Sequence, residues 1–166
     1  HKTIQVGGGI RNLESASLYL DSGISRIVTG TSAVKEPEIL YKVSAVYPDS
    51  IVLALDAYDG RLKTEGWVEE STIKPLDLIR SLSDITLSAI IYTDISKDGM
   101  MSGPNIEATL DLARKTSVPV IASGGVSSLN HIRALSNSSV DLEGVICGRS
   151  LYEKAFTLEE AILEAQ

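Results

Sequence analysis

Two glycine-rich stretches, "VGGGIR" at Val6–Arg11 and "SGGV" at Ser123–Val126, each follow a short apolar run and precede a helical pattern. Glycines at such a junction let the backbone adopt positive φ and leave no Cβ between the chain and an incoming anion. The free N–H groups at the start of the next helix then favour a phosphate. A second glycine–polar junction accompanies each stretch: Gly30-Thr31 follows Gly8-Gly9, and Gly148-Arg149 follows Gly124-Gly125. A lone Gly-Gly is often just a tight connection; the doubled arrangement points to two phosphate sites. Two acids stand at related positions, Asp56 closing the apolar run "IVLALD" and Asp98 in "DISKDGM" after the next such run. Strand-end and loop carboxylates beside two phosphate sites suit general acid–base chemistry on a bisphosphorylated substrate. Each also has a plainer role, as a helix or loop cap for Asp56 and as an Asp-Gly turn residue for Asp98. Thr93 and Asp94 end the second run, and strand parity lets only one of them face inward. Trp67, the only tryptophan, lies in the polar loop "RLKTEGWVEES", placed either to stack on a flat ligand or to cover surface.

Other chemistries are excluded by what is missing. His1 and His131 offer no metal-ligand spacing, so no metal is expected. The single cysteine, Cys147 in "GVICG", cannot form an internal disulfide and reads as a buried thiol. A formal charge of −7 without any basic cluster argues against nucleic acid. No apolar run reaches membrane-spanning length and no signal-peptide pattern opens the chain, so a cytoplasmic protein is expected.

These residues need elements to hold them. Six strand candidates are nearly continuous apolar runs: Thr3–Val6, Arg26–Gly30, Ile51–Asp56, Ser88–Asp94, Val118–Ser123 and Gly144–Gly148. Such runs predict parallel strands covered on both faces. Helical patterns separate them, among them "NLESASLYLDSG" with a glycine stop and "PEILYKVSAVY" with proline in its first turn. Strict βα order over 166 residues predicts one α/β domain built on a parallel sheet. The longest strand-to-helix connections, Ala57–Ser71 and Ile95–Pro104, leave the carboxyl ends of strands, where such folds keep their chemistry. The segment of about residues 1–35 matches that of about 118–152, turn for turn, which predicts duplication of a larger block. If that block holds four βα units, two units before residue 1 are expected.

The stretches "VGGGIR", "TGTSAV", "DAYDG…GW", "YTDISKDGMMSGPN", "ASGGVSSL" and "GRSLYE" together resemble the phosphoribosyl isomerases of histidine biosynthesis, over essentially the whole chain. The resemblance implies a (βα)8 barrel of two similar halves, here represented by its third to eighth units. It implies an Amadori rearrangement of ProFAR, a substrate with a phosphate at each end, without cofactor or metal. Gly8, Gly9, Gly30 and Thr31 match one phosphate site of that family, and Gly124, Gly125, Gly148 and Arg149 match the other. Arg11 matches an arginine that reaches the substrate or orders the turn, and Trp67 a tryptophan that stacks on the imidazole. Asp56 and Asp98 match rival candidates for the proton donor, with Thr93 in support. The family's proton-abstracting base ends the first strand, which this chain does not include, and Met100 stands where a threonine is common. Two further readings follow from the same residues: the related cyclase that makes imidazole glycerol phosphate, and a non-catalytic phosphate-binding fragment. Six units cannot close an eight-stranded barrel, so an exposed edge and self-association through it are also expected.

Overall fold

The computed structural model describes residues 2–64, 69–70 and 73–166. Six parallel strands run in the order β1 (Gln5–Gly7), β2 (Arg26–Thr29), β3 (Ile51–Tyr58), β6 (Leu87–Asp94), β7 (Val120–Ser123) and β8 (Gly144–Val145). Helices alternate with them: α1 (Leu13–Asp21), α3 (Glu38–Val46), α4 (Pro75–Ser81), α5 (Ile106–Lys115), α6 (Leu129–Ser136) and α8 (Leu158–Glu164). Two short helices, α2 (Thr31–Lys35) and α7 (Arg149–Tyr152), follow β2 and β8 directly.

The continuous apolar runs have the cause expected of them, since both faces of the sheet are covered. Ile51, Leu53 and Leu55 of β3 join Leu40, Val43 and Leu78 of the helices in one cluster. The intervening positions face the other way, where Val52 packs with Ala89, Ile91 and Ile121. Burying each of these Val, Leu and Ile side chains stabilises the fold by about 1.5–3 kcal/mol relative to exposure. The sheet curls around this second face. Arg26 on β2 reaches Glu143, just before β8, at 3.0 Å, although three strands lie between them in the sheet. The result is a half-barrel of the (βα)8 type, with β1 and β8 at its edges.

One expectation changes in detail. The segment after Asp56, read as a long loop, begins as a hairpin: β3 continues to Tyr58, and β4 (Arg61–Thr64) returns antiparallel beside it and pairs in turn with β5 (Glu69–Glu70). Asp59 and Gly60 sit between the paired Tyr58 and Arg61 with φ of 48° and 72°. Asp-Gly at both central positions with positive φ is the preferred two-residue hairpin turn, and "YDGR" carried that signature.

Candidate functional site

Trp67 lies outside the described residues; the other candidates lie at the carboxyl side of the parallel sheet, on strand ends and the loops that leave them. They form two groups. β1 ends at Gly7, and Gly8 and Gly9 turn the chain with φ of 101° and 71° toward Asn12, the N-cap of α1. The Asn12 side chain accepts the Ser15 N–H at 2.8 Å, while Ser15 Oγ accepts the Arg11 and Asn12 N–H groups. This capping box fixes the turn and leaves Arg11 exposed at the rim. Gly8, Gly9, Arg11, Gly30 and Asp56 all line one cavity of about 790 Å³. Thr31 opens α2; its side chain is outside the described part of the structure. Lys35 and Glu36 line the same cavity and were not singled out from the sequence. Lys35 ends the short helix after Gly30 and Glu36 follows it, and recognising "TSAVK" as a helix would have aimed attention there.

The second group lines a cavity of about 300 Å³ that includes Asp98, Ser123, Gly124, Gly125, Gly148 and Arg149. Gly125 is buried, and its carbonyl accepts the N–H of Gly103, 3.0 Å away, which seats the β6–α5 loop on the glycine turn. Arg149 ties the same loop down from another side, its Nη1 donating to the Gly99 carbonyl at 2.8 Å and its Nε to Glu153 at 3.2 Å. The next residue, Ser150, is fully buried, and its hydroxyl has no partner among the described residues.

A row of register partners joins the two groups. Asp56 pairs with Thr93, and Thr93 with Ser123, so the three stand side by side on the face that also carries Val52 and Ile91. Thr93 is therefore the inward residue of its pair, and Asp94 points to the helix layer. The two acids are not brought together: Asp56 lines the first cavity and Asp98 the second. Burial pushes the Asp94 carboxyl up, yet hydrogen bonds from the Ser96 hydroxyl, the Asn105 amide and the Ser96 N–H, with the Lys97 charge, hold it below its ordinary value. Burial pushes the Cys147 thiol up, which disfavours the reactive thiolate. Among the described residues, no group of three or more His, Cys, Asp or Glu side chains is placed to hold a metal, and no helix is long and apolar enough to cross a membrane.

Two glycine turns at the carboxyl side of a curled sheet, one beside a cavity lined by Asp56 and the other beside a cavity lined by Asp98, are suited to anionic groups of a small molecule. Known proteins are similar to this chain in sequence. The chain is 49% identical over 158 residues, 95% of its length, to a protein of Dinoroseobacter shibae named 1-(5-phosphoribosyl)-5-((5-phosphoribosylamino)methylideneamino)imidazole-4-carboxamide isomerase. It is 48% identical over 160 residues to the protein of the same name from Sorangium cellulosum, with 96% of this chain aligned. The chain spans 66% of the length of each of these relatives. The model of the family described as histidine biosynthesis protein matches residues 1–157, and the chain belongs to that family.

Proposed function

We propose that this chain carries the substrate-gripping part of a ProFAR isomerase, the aldose–ketose isomerase of histidine biosynthesis. The observation that carries the reading is the pair of glycine-lined cavities at one end of the sheet, one lined by Asp56 and Glu36 and the other by Asp98. The substrate class is a small molecule phosphorylated at both ends, one phosphate for the Gly8–Gly9 and Gly30 turns and one for the Gly124–Gly125 and Gly148 turns. In the reaction an acid, Asp56 or Asp98, protonates the ribose ring oxygen, and the C1–O bond opens to a Schiff base. A base then removes the C2 proton, giving an enolamine that tautomerises to the ketose. Thr93, in register with Asp56, supplies a hydroxyl at the same level. Trp67 is proposed to stack on the imidazole. The resemblance assigns the base to the family's first strand, to which it matches no residue of this sequence. A cytoplasmic setting goes with such a biosynthetic role.

The test is ProFAR binding and turnover by the 166-residue chain, alone and with the first two βα units of the Dinoroseobacter shibae relative added. We expect saturable ProFAR binding by the chain alone and turnover once those units are present. In the active form, Asp56→Asn and Asp98→Asn then assign the acid, whose loss should lower kcat by about 10²–10⁴. Binding that never leads to turnover would favour the phosphate-binding module instead, and absence of binding would sink both readings.

We also propose that the chain by itself self-associates through the strands β1 and β8. Each ends the sheet, and large apolar side chains lie exposed beside them, Ile4 at 51% and Ile146 at 40%. Unpaired N–H and C=O groups beside apolar side chains are a template for strand pairing.

A further inference from the structure

The loop from β6 to α5 carries Asp98, and one carboxylate outside the two cavities holds both of its ends. Asp94, the last residue of β6, accepts the Ser96 N–H at 3.0 Å and the Ser96 hydroxyl at 2.6 Å on Oδ1. Its Oδ2 accepts the Asn105 side-chain amide at 2.6 Å. Asn105 is at the same time the N-cap of α5, its Oδ1 accepting the Ala108 N–H at 3.1 Å. The Asp94 main-chain carbonyl accepts the N–H groups of Lys97 and of Asp98 itself, at 3.0 and 3.2 Å. The first turn of the loop and its return into α5 are therefore both anchored on one residue.

We propose that Asp94 is a positioning residue whose carboxylate clamps the 95–105 loop so that Asp98 is presented to the Gly124–Gly125 cavity. It faces away from the row that Thr93 and Asp56 form, and it touches no reacting atom. The chemistry of the clamp requires one carboxylate and one amide across positions 94 and 105. Both oxygens of Asp94 meet donors, so an Asn there turns its NH₂ either onto Ser96 or onto the Asn105 NH₂. Asn105 cannot rotate to compensate without withdrawing its oxygen from Ala108. The reciprocal exchange, however, rebuilds the bridge with its polarity reversed. An Asn at 94 donates to an Asp at 105, which still caps α5, because Asp is as good an N-cap as Asn. What Asp98 does chemically rests on the isomerase reading; the clamp itself rests on the hydrogen bonds.

Hydrogen exchange of the backbone amides of the whole chain at neutral pH tests the clamp without substrate. We expect Asp94→Asn to speed exchange over residues 96–103 by about tenfold while β3 and β6 keep their protection. The double variant Asp94→Asn with Asn105→Asp should return the loop to its original rate. In a form that turns over ProFAR, the single variant should lower kcat by about tenfold with KM nearly unchanged, and the double variant should recover it. Unchanged loop exchange in the single variant, loosening that extends through the sheet, or a double variant no better than the single would each overturn the proposal. So would a loosened loop with undiminished kcat. If no form turns over ProFAR, the isomerase reading fails, and loop exchange still decides the clamp.

Discussion

At the scale of the residue, the two glycine turns differ in what surrounds them. A Cβ on Gly125 would lie 2.5 Å from the Gly103 carbonyl oxygen and 3.0 Å from that of Lys97, with φ at +78°. Both neighbours are backbone, so neither can swing aside. A Cβ on Gly8, with φ at +101°, would meet nothing within 4 Å. Gly8→Ala therefore meets only the strain of an unfavourable backbone, about 1–3 kcal/mol. Gly125→Ala adds a steric clash of about 1–3 kcal/mol to the same strain, or expels the β6–α5 loop from its seat. Urea unfolding of the two variants should place Gly125→Ala well below Gly8→Ala in stability. Equal losses would mean that the loop is not seated on Gly125 in solution.

At the scale of the element, the junction of β6 with α5 should respond to acid. Asp94 has a carboxyl held below its ordinary value of 3.8 in the folded chain. A depressed folded pKa contributes stability that is complete above the unfolded pKa and disappears as pH falls through the folded one. The difference in unfolding free energy between the native chain and Asp94→Asn should thus be constant from neutral pH down to about 5 and shrink below about 4. Its size should be near 1 kcal/mol, because solvent reaches the strand end and weakens even charged hydrogen bonds there. Acids elsewhere titrate in both proteins and cancel in the comparison. A difference that stays constant down to pH 2.5 would assign the effect to packing rather than to the carboxylate.

At the scale of the molecule, six parallel strands leave β1 and β8 without a neighbour on one side among the described residues. Both are short, three residues and two, which limits the number of backbone groups they expose. Val28, Ile91 and Ile121 of the curled face line a cavity together with Gln5 of β1 and Gly144 and Val145 of β8. If β1 and β8 seek partners, the 166-residue chain should sediment as a dimer or larger species. Adding the two preceding units of a relative should then return it to a monomer. A monomeric mass for the chain alone, with no binding of a hydrophobic dye, would remove self-association from the account.

The residue pattern by itself determined the class of the fold. Runs such as "IVLALD" and "SAIIYTD" are apolar at successive positions because parallel strands are buried on both faces, and that constraint is local enough to read. The glycine turns were legible for the same reason, since the positive φ of Gly8, Gly9, Gly124 and Gly125 admits few other residues. The length of β8 was not, because "GVICG" stays apolar past the two residues that pair, Cys147 being packed with Val126 and Ile132 rather than on the ladder. Only the tertiary structure decided that Thr93 faces the site and Asp94 the helices, since both are polar and either parity suits the run. It also decided that Asp56 and Asp98 belong to different cavities, and that Arg149, matched to an anion site, holds the Gly99 carbonyl. Facing and partnership depend on register between strands distant in sequence, such as Asp56 with Thr93 and Thr93 with Ser123. Register is set by the packing of the whole sheet against its helices, and no stretch of the chain carries it alone.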